Sequence, residues 1–152
     1  MPLHGEIATS EAGARLTGDS EERRRSFRAL VVEDDEAIVF LVRRVLEREE
    51  FSVECVRSAA AAIELLKTVA YDLLILDLVL PLVSGEEVMM FLEATQPRSL
   101  RRVIVMTASP RQLSCEFLER VCRLLTKPFD IQELVLMARE CVQDSSSCAA
   151  VS

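Results

Sequence analysis

Two runs in this chain, Leu73-Leu74-Ile75-Leu76 and Val103-Ile104-Val105-Met106, are apolar at every position. A strand alternates faces with each residue, so it can be apolar throughout only where both faces are buried. A parallel sheet with helices on each side meets that requirement, and no other feature restricts the fold as much. Leu30-Val31-Val32 is a third such run, and Arg123-Leu124-Leu125-Thr126 predicts a short last strand. Phe51, Val53 and Cys55 alternate with polar residues and predict a strand exposed on one face.

Helical stripes lie between these runs. Ile38, Leu41, Val42, Val45 and Leu46 recur at i, i+3, i+4, i+7 and i+8. Ser58 is a good N-cap for a helix carrying Ala62, Leu65, Leu66 and Val69. Ser84-x-x-Glu87 reads as a capping box ahead of Val88, Phe91 and Leu92. A weaker helix is expected after Pro110, with Leu113, Phe117 and Val121 as its stripe. Asp130-x-x-Glu133 opens a helix with Leu134, Ala138 and Cys141 inward. Five strands alternating with five helices, joined by right-handed crossovers, make a doubly wound α/β sheet. Ligands of such sheets bind at the edge where the strands' C-terminal ends emerge.

Composition bounds the domain and its chemistry. Three of four glycines fall in the first 18 residues, and residues 144–150 are small and polar. Residues 1–26 and 144–152 are therefore expected to be disordered tails around a domain at 27–143. Residues 1–28 are neutral overall, so the net charge of −7 belongs to the remainder. Such a domain is a poor partner for nucleic acid, whose phosphates need Lys and Arg. No apolar run approaches the roughly 20 residues of a membrane span. The first twenty residues carry Glu6, Glu11 and Asp19 and lack the apolar stretch of a secretory signal. Five cysteines, without metal-ligand pairing at CxxC spacing, suggest reduced thiols and a cytoplasmic setting. The single histidine, His4, lies in the expected tail, which argues against histidine-based triads and zinc sites.

The strand ends carry the chemistry. Glu33-Asp34-Asp35 follow the first strand, Asp77 the third, Thr107 the fourth and Lys127 the fifth. Gathered carboxylates repel one another and stay ionised only with a cation among them. Hard oxygen ligands of this kind suit Mg²⁺. Lys127 and Thr107 add a charge and a hydroxyl, so the edge suits an incoming dianion such as a phosphoryl group. The chain uses sixteen arginines and two lysines, and a lysine at this position favours a compact point charge. Asp35 and Glu36 read as helix N-terminal residues rather than ligands. Neither GxxxxGK[ST] nor GxGxxG occurs, which argues against nucleotide binding. A carboxylate can instead take the phosphoryl group as an aspartyl phosphate.

The segments LVVEDDE, YDLLILDLVLPLVSGEE, VIVMTAS and LLTKPFD, in that order, resemble the receiver domain of bacterial two-component response regulators. The resemblance covers about residues 27–143 and implies a flavodoxin-like sheet of order 2-1-3-4-5. It implies that Asp77 is the phosphoacceptor, with Thr107 as switch hydroxyl and Lys127 contacting the phosphoryl group. Mg²⁺ would be held by Glu33, Asp34, Asp77 and the backbone carbonyl of Val79, and Pro81 and Gly85 match the loop after the acceptor. The implied function is phosphorelay signalling: phosphate taken from a histidine kinase or phosphotransfer protein, an unknown downstream protein target, and no enzymatic role of its own. Two alternatives remain: an interaction domain independent of phosphorylation, and an aspartate-nucleophile phosphatase of the haloacid-dehalogenase type. The latter needs a second aspartate two positions after the nucleophile, where this chain has Val79. In the family an aromatic residue commonly sits three positions before the lysine; here it is Leu124. The Thr107–Lys127 segment also lacks the usual Gly-Ala-acidic turn. The residues after the last helix are too few for an output domain, so the chain is either a stand-alone receiver or part of a larger regulator.

Overall fold

The structure, a computed structural model, describes residues 26–80 and 84–151. Most of the expected N-terminal tail lies outside the described residues, as does Pro81. Five parallel strands form one sheet: β1 (Arg28–Val32), β2 (Ser52–Val56), β3 (Leu73–Asp77), β4 (Val103–Thr107) and β5 (Arg123–Thr126). Their order is β2-β1-β3-β4-β5, the doubly wound order expected. The helices are α1 (Glu36–Arg48), α2 (Ala59–Thr68), α3 (Glu86–Thr95), α4 (Cys115–Arg120) and α5 (Ile131–Val151).

β3 is central, with Ile75 paired to Val31 on one side and Ile104 on the other. Every residue of β3 and β4 is buried, as their unbroken apolar runs require. Alternate side chains feed two cores. Leu74, Leu76, Val103 and Val105 pack with Ala62 and Leu66 of α2 and Val88 and Leu92 of α3. Leu73, Ile75, Ile104 and Met106 pack with Val42 and Leu46 of α1 and Leu134 and Ala138 of α5. Each fully buried Leu, Ile or Val contributes about 1.5–3 kcal/mol relative to exposure.

Caps follow the sequence closely at three helices. Asp35 Oδ1 accepts the Ala37 and Ile38 N–H groups at 2.9 and 3.2 Å, so it caps α1. Ser58 Oγ accepts Ala61 N–H at 3.2 Å, and Asp130 Oδ1 accepts Gln132 N–H at 2.9 Å. The box expected at Ser84 is displaced: α3 begins one residue later, with Gly85 at the N-cap.

Three expectations are corrected. The helix after Pro110 is split into a 3-10 turn, Pro110–Gln112, and the six-residue α4, because Ser114 supplies a new cap to Phe117 N–H at 3.1 Å. The last helix does not stop at 143 but continues to Val151. No glycine or proline follows Pro128 to end it, and Ala149-Ala150 favour helix. Nor are the cysteines all reduced: Cys122, just before β5, and Cys141 of α5 form a disulfide, with Cα atoms 6.0 Å apart. Cys55 and Cys115 are free.

Candidate functional site

Four strand ends bring the site residues to one edge of the sheet. β1 delivers Glu33 and Asp34, β3 ends in Asp77, β4 in Thr107, and Lys127 follows β5. All five side chains anticipated from sequence therefore reach the same edge. Glu33, Asp77 and Thr107 are the buried polar residues among those described, at 1%, 3% and 4% exposure. Carboxylate oxygens of Glu33, Asp34 and Asp77 all lie within 4.8 Å of one another, Asp34 being the exposed member.

One positive charge already lies among these carboxylates. Lys127 Nζ donates to Glu33 Oε2 at 2.7 Å and to Asp77 Oδ2 at 3.0 Å. Glu33 Oε1 accepts Asp35 N–H at 3.2 Å. Burial pushes the Glu33 carboxyl up to about 7; Lys127 opposes that rise, while Asp77 adds to it. For Lys127, burial would lower its pKa, yet the two facing carboxylates outweigh it and hold the value above normal. The ammonium is thus kept charged where two buried acids need it.

The loop after Asp77 is folded back on the strand end. Val79 N–H donates to Asp77 Oδ1 at 3.0 Å, so each acceptor oxygen of that carboxylate has a fixed donor. Gly85 N–H donates to Leu78 O at 3.0 Å, and Ser84 Oγ–H to the same carbonyl at 3.2 Å. A Cβ on Gly85 would lie 2.3 Å from the Asp77 carbonyl oxygen, so only glycine allows this approach. The dual part of Ser84, clasping Leu78 while accepting Glu86 N–H at 3.2 Å, had no sequence signal beyond its capping pattern.

Thr107 Oγ1 accepts Ser109 N–H at 3.0 Å, leaving its hydroxyl hydrogen available for donation. Its carbonyl accepts Lys127 N–H at 2.8 Å, which positions the lysine at the edge. Asp35 and Glu36 stay out of the cluster: one caps α1, and the other pairs with Arg57. Leu124 is half-buried against the α2–α3 core and shares a sheet face with Thr107, since Val105 pairs with Leu124 and Thr107 with Thr126. An oxygen-only donor set at this spacing fits a hard divalent cation.

A sheet of this order, with three acids, a hydroxyl and an ammonium at its C-terminal edge, defines a class of signalling domain. Residues 29–139 match the response regulator receiver domain family, and the chain belongs to it. It is a phosphorelay signalling domain of the two-component type. The chain is 36% identical over 120 residues to the transcriptional regulatory protein CutR of Streptomyces coelicolor, covering 74% of this chain and 52% of that protein. It is 33% identical over 113 residues to the aerobic respiration control sensor protein ArcB of Escherichia coli, covering 73% of this chain but 14% of that protein. The chain thus spans about half the length, or less, of these curated relatives. Among solved structures, the receiver domain of sensor histidine kinase PA1611 from Pseudomonas aeruginosa superimposes with a TM-score of 0.69 at 23% identity. That match covers 78% of this chain and 98% of the other, which has a magnesium ion coordinated in its active site cleft. No helix among the described residues is long and apolar enough to cross a membrane.

Proposed function

We propose that Asp77 is the phosphoacceptor of this receiver, taking a phosphoryl group from a phosphohistidine of a kinase or phosphotransfer protein. One Asp77 oxygen forms the new O–P bond as the P–N bond of the donor breaks. The supporting observation is the Lys127 bridge: an ammonium 3.0 Å from a carboxylate that is itself 3% exposed at the end of the central strand. The carboxylate is oriented before the donor arrives, by Lys127 on one oxygen and Val79 N–H on the other. Lys127 would then follow the charge to a phosphoryl oxygen, and Thr107 would donate its hydroxyl to another.

Glu33, Asp34, Asp77 and the Val79 carbonyl would hold Mg²⁺, in keeping with the magnesium of the PA1611 receiver. When bound, it supplies positive charge against the phosphoryl oxygens. The phosphatase alternative lacks its general acid, because position 79 is a 74%-exposed valine. The phosphorylated domain would signal to a protein partner, and a cytoplasmic setting suits that role.

Incubation with acetyl phosphate and Mg²⁺, followed by intact mass, tests the reading. One phosphoryl group should appear, be removed by hydroxylamine, and be absent in Asp77→Ala. Equal uptake by Asp77→Ala would overturn the assignment.

A further inference from the structure

The seam between β5 and α5 carries two adjacent crosslinks. Cys122 is bonded to Cys141, and the next residue, Arg123, donates through Nη2 and Nε to Glu140 Oε2 at 2.8 and 3.2 Å. The covalent and ionic pairs therefore join consecutive residues on both elements. Cys141 is fully buried in the α1–α5 core, whereas Cys122 is half-buried at its margin. The pair sits at the N-terminal end of β5, with Lys127 past the other end. Neither cysteine takes part in the acidic cluster.

We propose that Cys122 and Cys141 are a reversible thiol–disulfide site that locks α5 onto the start of β5. The oxidant is a small disulfide of the glutathione class. The Cys122 thiolate, the more accessible sulfur, attacks it and forms a mixed disulfide, releasing one thiolate. The Cys141 thiolate then attacks the Cys122 sulfur and displaces the second. Two protein thiols lose two protons and two electrons; the small disulfide becomes two thiols. A small dithiol reverses both steps through the sulfur of half-buried Cys122. The lock gives this chain a redox input at a place separate from the strand-end carboxylates.

The full chain is incubated with glutathione disulfide, alkylated while folded, and digested without reductant. Cys122 and Cys141 should be recovered as one crosslinked peptide, while exposed Cys115 is alkylated. Excess dithiothreitol under native conditions should open the bond and lower the melting temperature by about 10 °C, since closing a loop of this size constrains the unfolded chain. Hydrogen exchange of α5 amides should rise with it. Cys122→Ser should have the lower melting temperature already and be insensitive to dithiothreitol. Alkylation of Cys122 after glutathione disulfide treatment would overturn the site. So would a bond that resists native dithiothreitol, or a dithiothreitol effect that persists in Cys122→Ser.

Discussion

The Lys127 ammonium lies 2.7 Å from Glu33 Oε2, a pairing across ninety-four positions of sequence. The lysine side chain is 18% exposed and that of Glu33 1%. Two such charges are costly to desolvate, and each is tolerable only because the other is present. Asp77, 3.0 Å from the same nitrogen, makes the arrangement a bridge between two acids rather than a simple pair.

Removing the ammonium should therefore expose the repulsion it masks. Lys127→Ala is expected to lose about 2–4 kcal/mol of metal-free stability at pH 7.5, the cost of leaving buried carboxylates uncompensated. The loss should be smaller at pH 5.5, where Glu33 is protonated, and Lys127→Arg should recover part of it. Urea unfolding in EDTA at both pH values measures this. An unchanged midpoint at pH 7.5 would mean that the bridge contributes nothing.

Glu33 titrates at about 7 in the folded chain, against an ordinary 4.5. A group whose folded value is raised favours the fold below its unfolded value, and that contribution is lost as pH rises through the folded value. Metal-free stability should thus carry a Glu33 component that declines between about pH 4.5 and 7. Glu33→Gln should remove it. Binding of Mg²⁺ must displace the same proton, so apparent affinity should increase over that range. Titration calorimetry in buffers of different ionisation heat reports the released proton. Affinity independent of pH between 5.5 and 7.5 would show that Glu33 is no ligand.

Gly85→Ala places a methyl 2.3 Å from the Asp77 carbonyl oxygen and 2.8 Å from Leu78 Cα. Both are backbone atoms and cannot swing aside. The loop must move, and with it the Val79 N–H that holds Asp77. We expect about 2 kcal/mol or more of destabilisation and slower phosphoryl uptake. Wild-type unfolding and uptake would show that the loop has slack which the distances do not suggest.

Leu124 has no ring to turn inward and no hydroxyl to bond, and it packs as one apolar group among others. A modification shifts an equilibrium only by its differential interaction with the two states. A beryllofluoride adduct should therefore shift amide resonances across residues 108–126 less in wild type than in Leu124→Tyr. Large shifts in wild type, unchanged by tyrosine, would refute the argument from the missing ring.

Local sequence sets the alternation of strands and helices, because periods of 2 and 3.6 residues are properties of short stretches of chain. It likewise placed Glu33, Asp34, Asp77, Thr107 and Lys127 at strand ends, since each follows or closes an apolar run. Asp35 as a helix N-terminal residue was legible for the same reason, and its capping partners are only two and three residues away. Contacts between remote segments depend instead on how the elements pack. Lys127 reaches Glu33 only because parallel register and strand order bring the ends of β1, β3 and β5 to one edge. Cys122 meets Cys141 only when α5 docks across the start of β5, and a separation of 19 residues carries no periodic sign of that. Local propensity reports whether a segment coils or extends; which side chains touch is set by packing, and packing is a property of the whole chain.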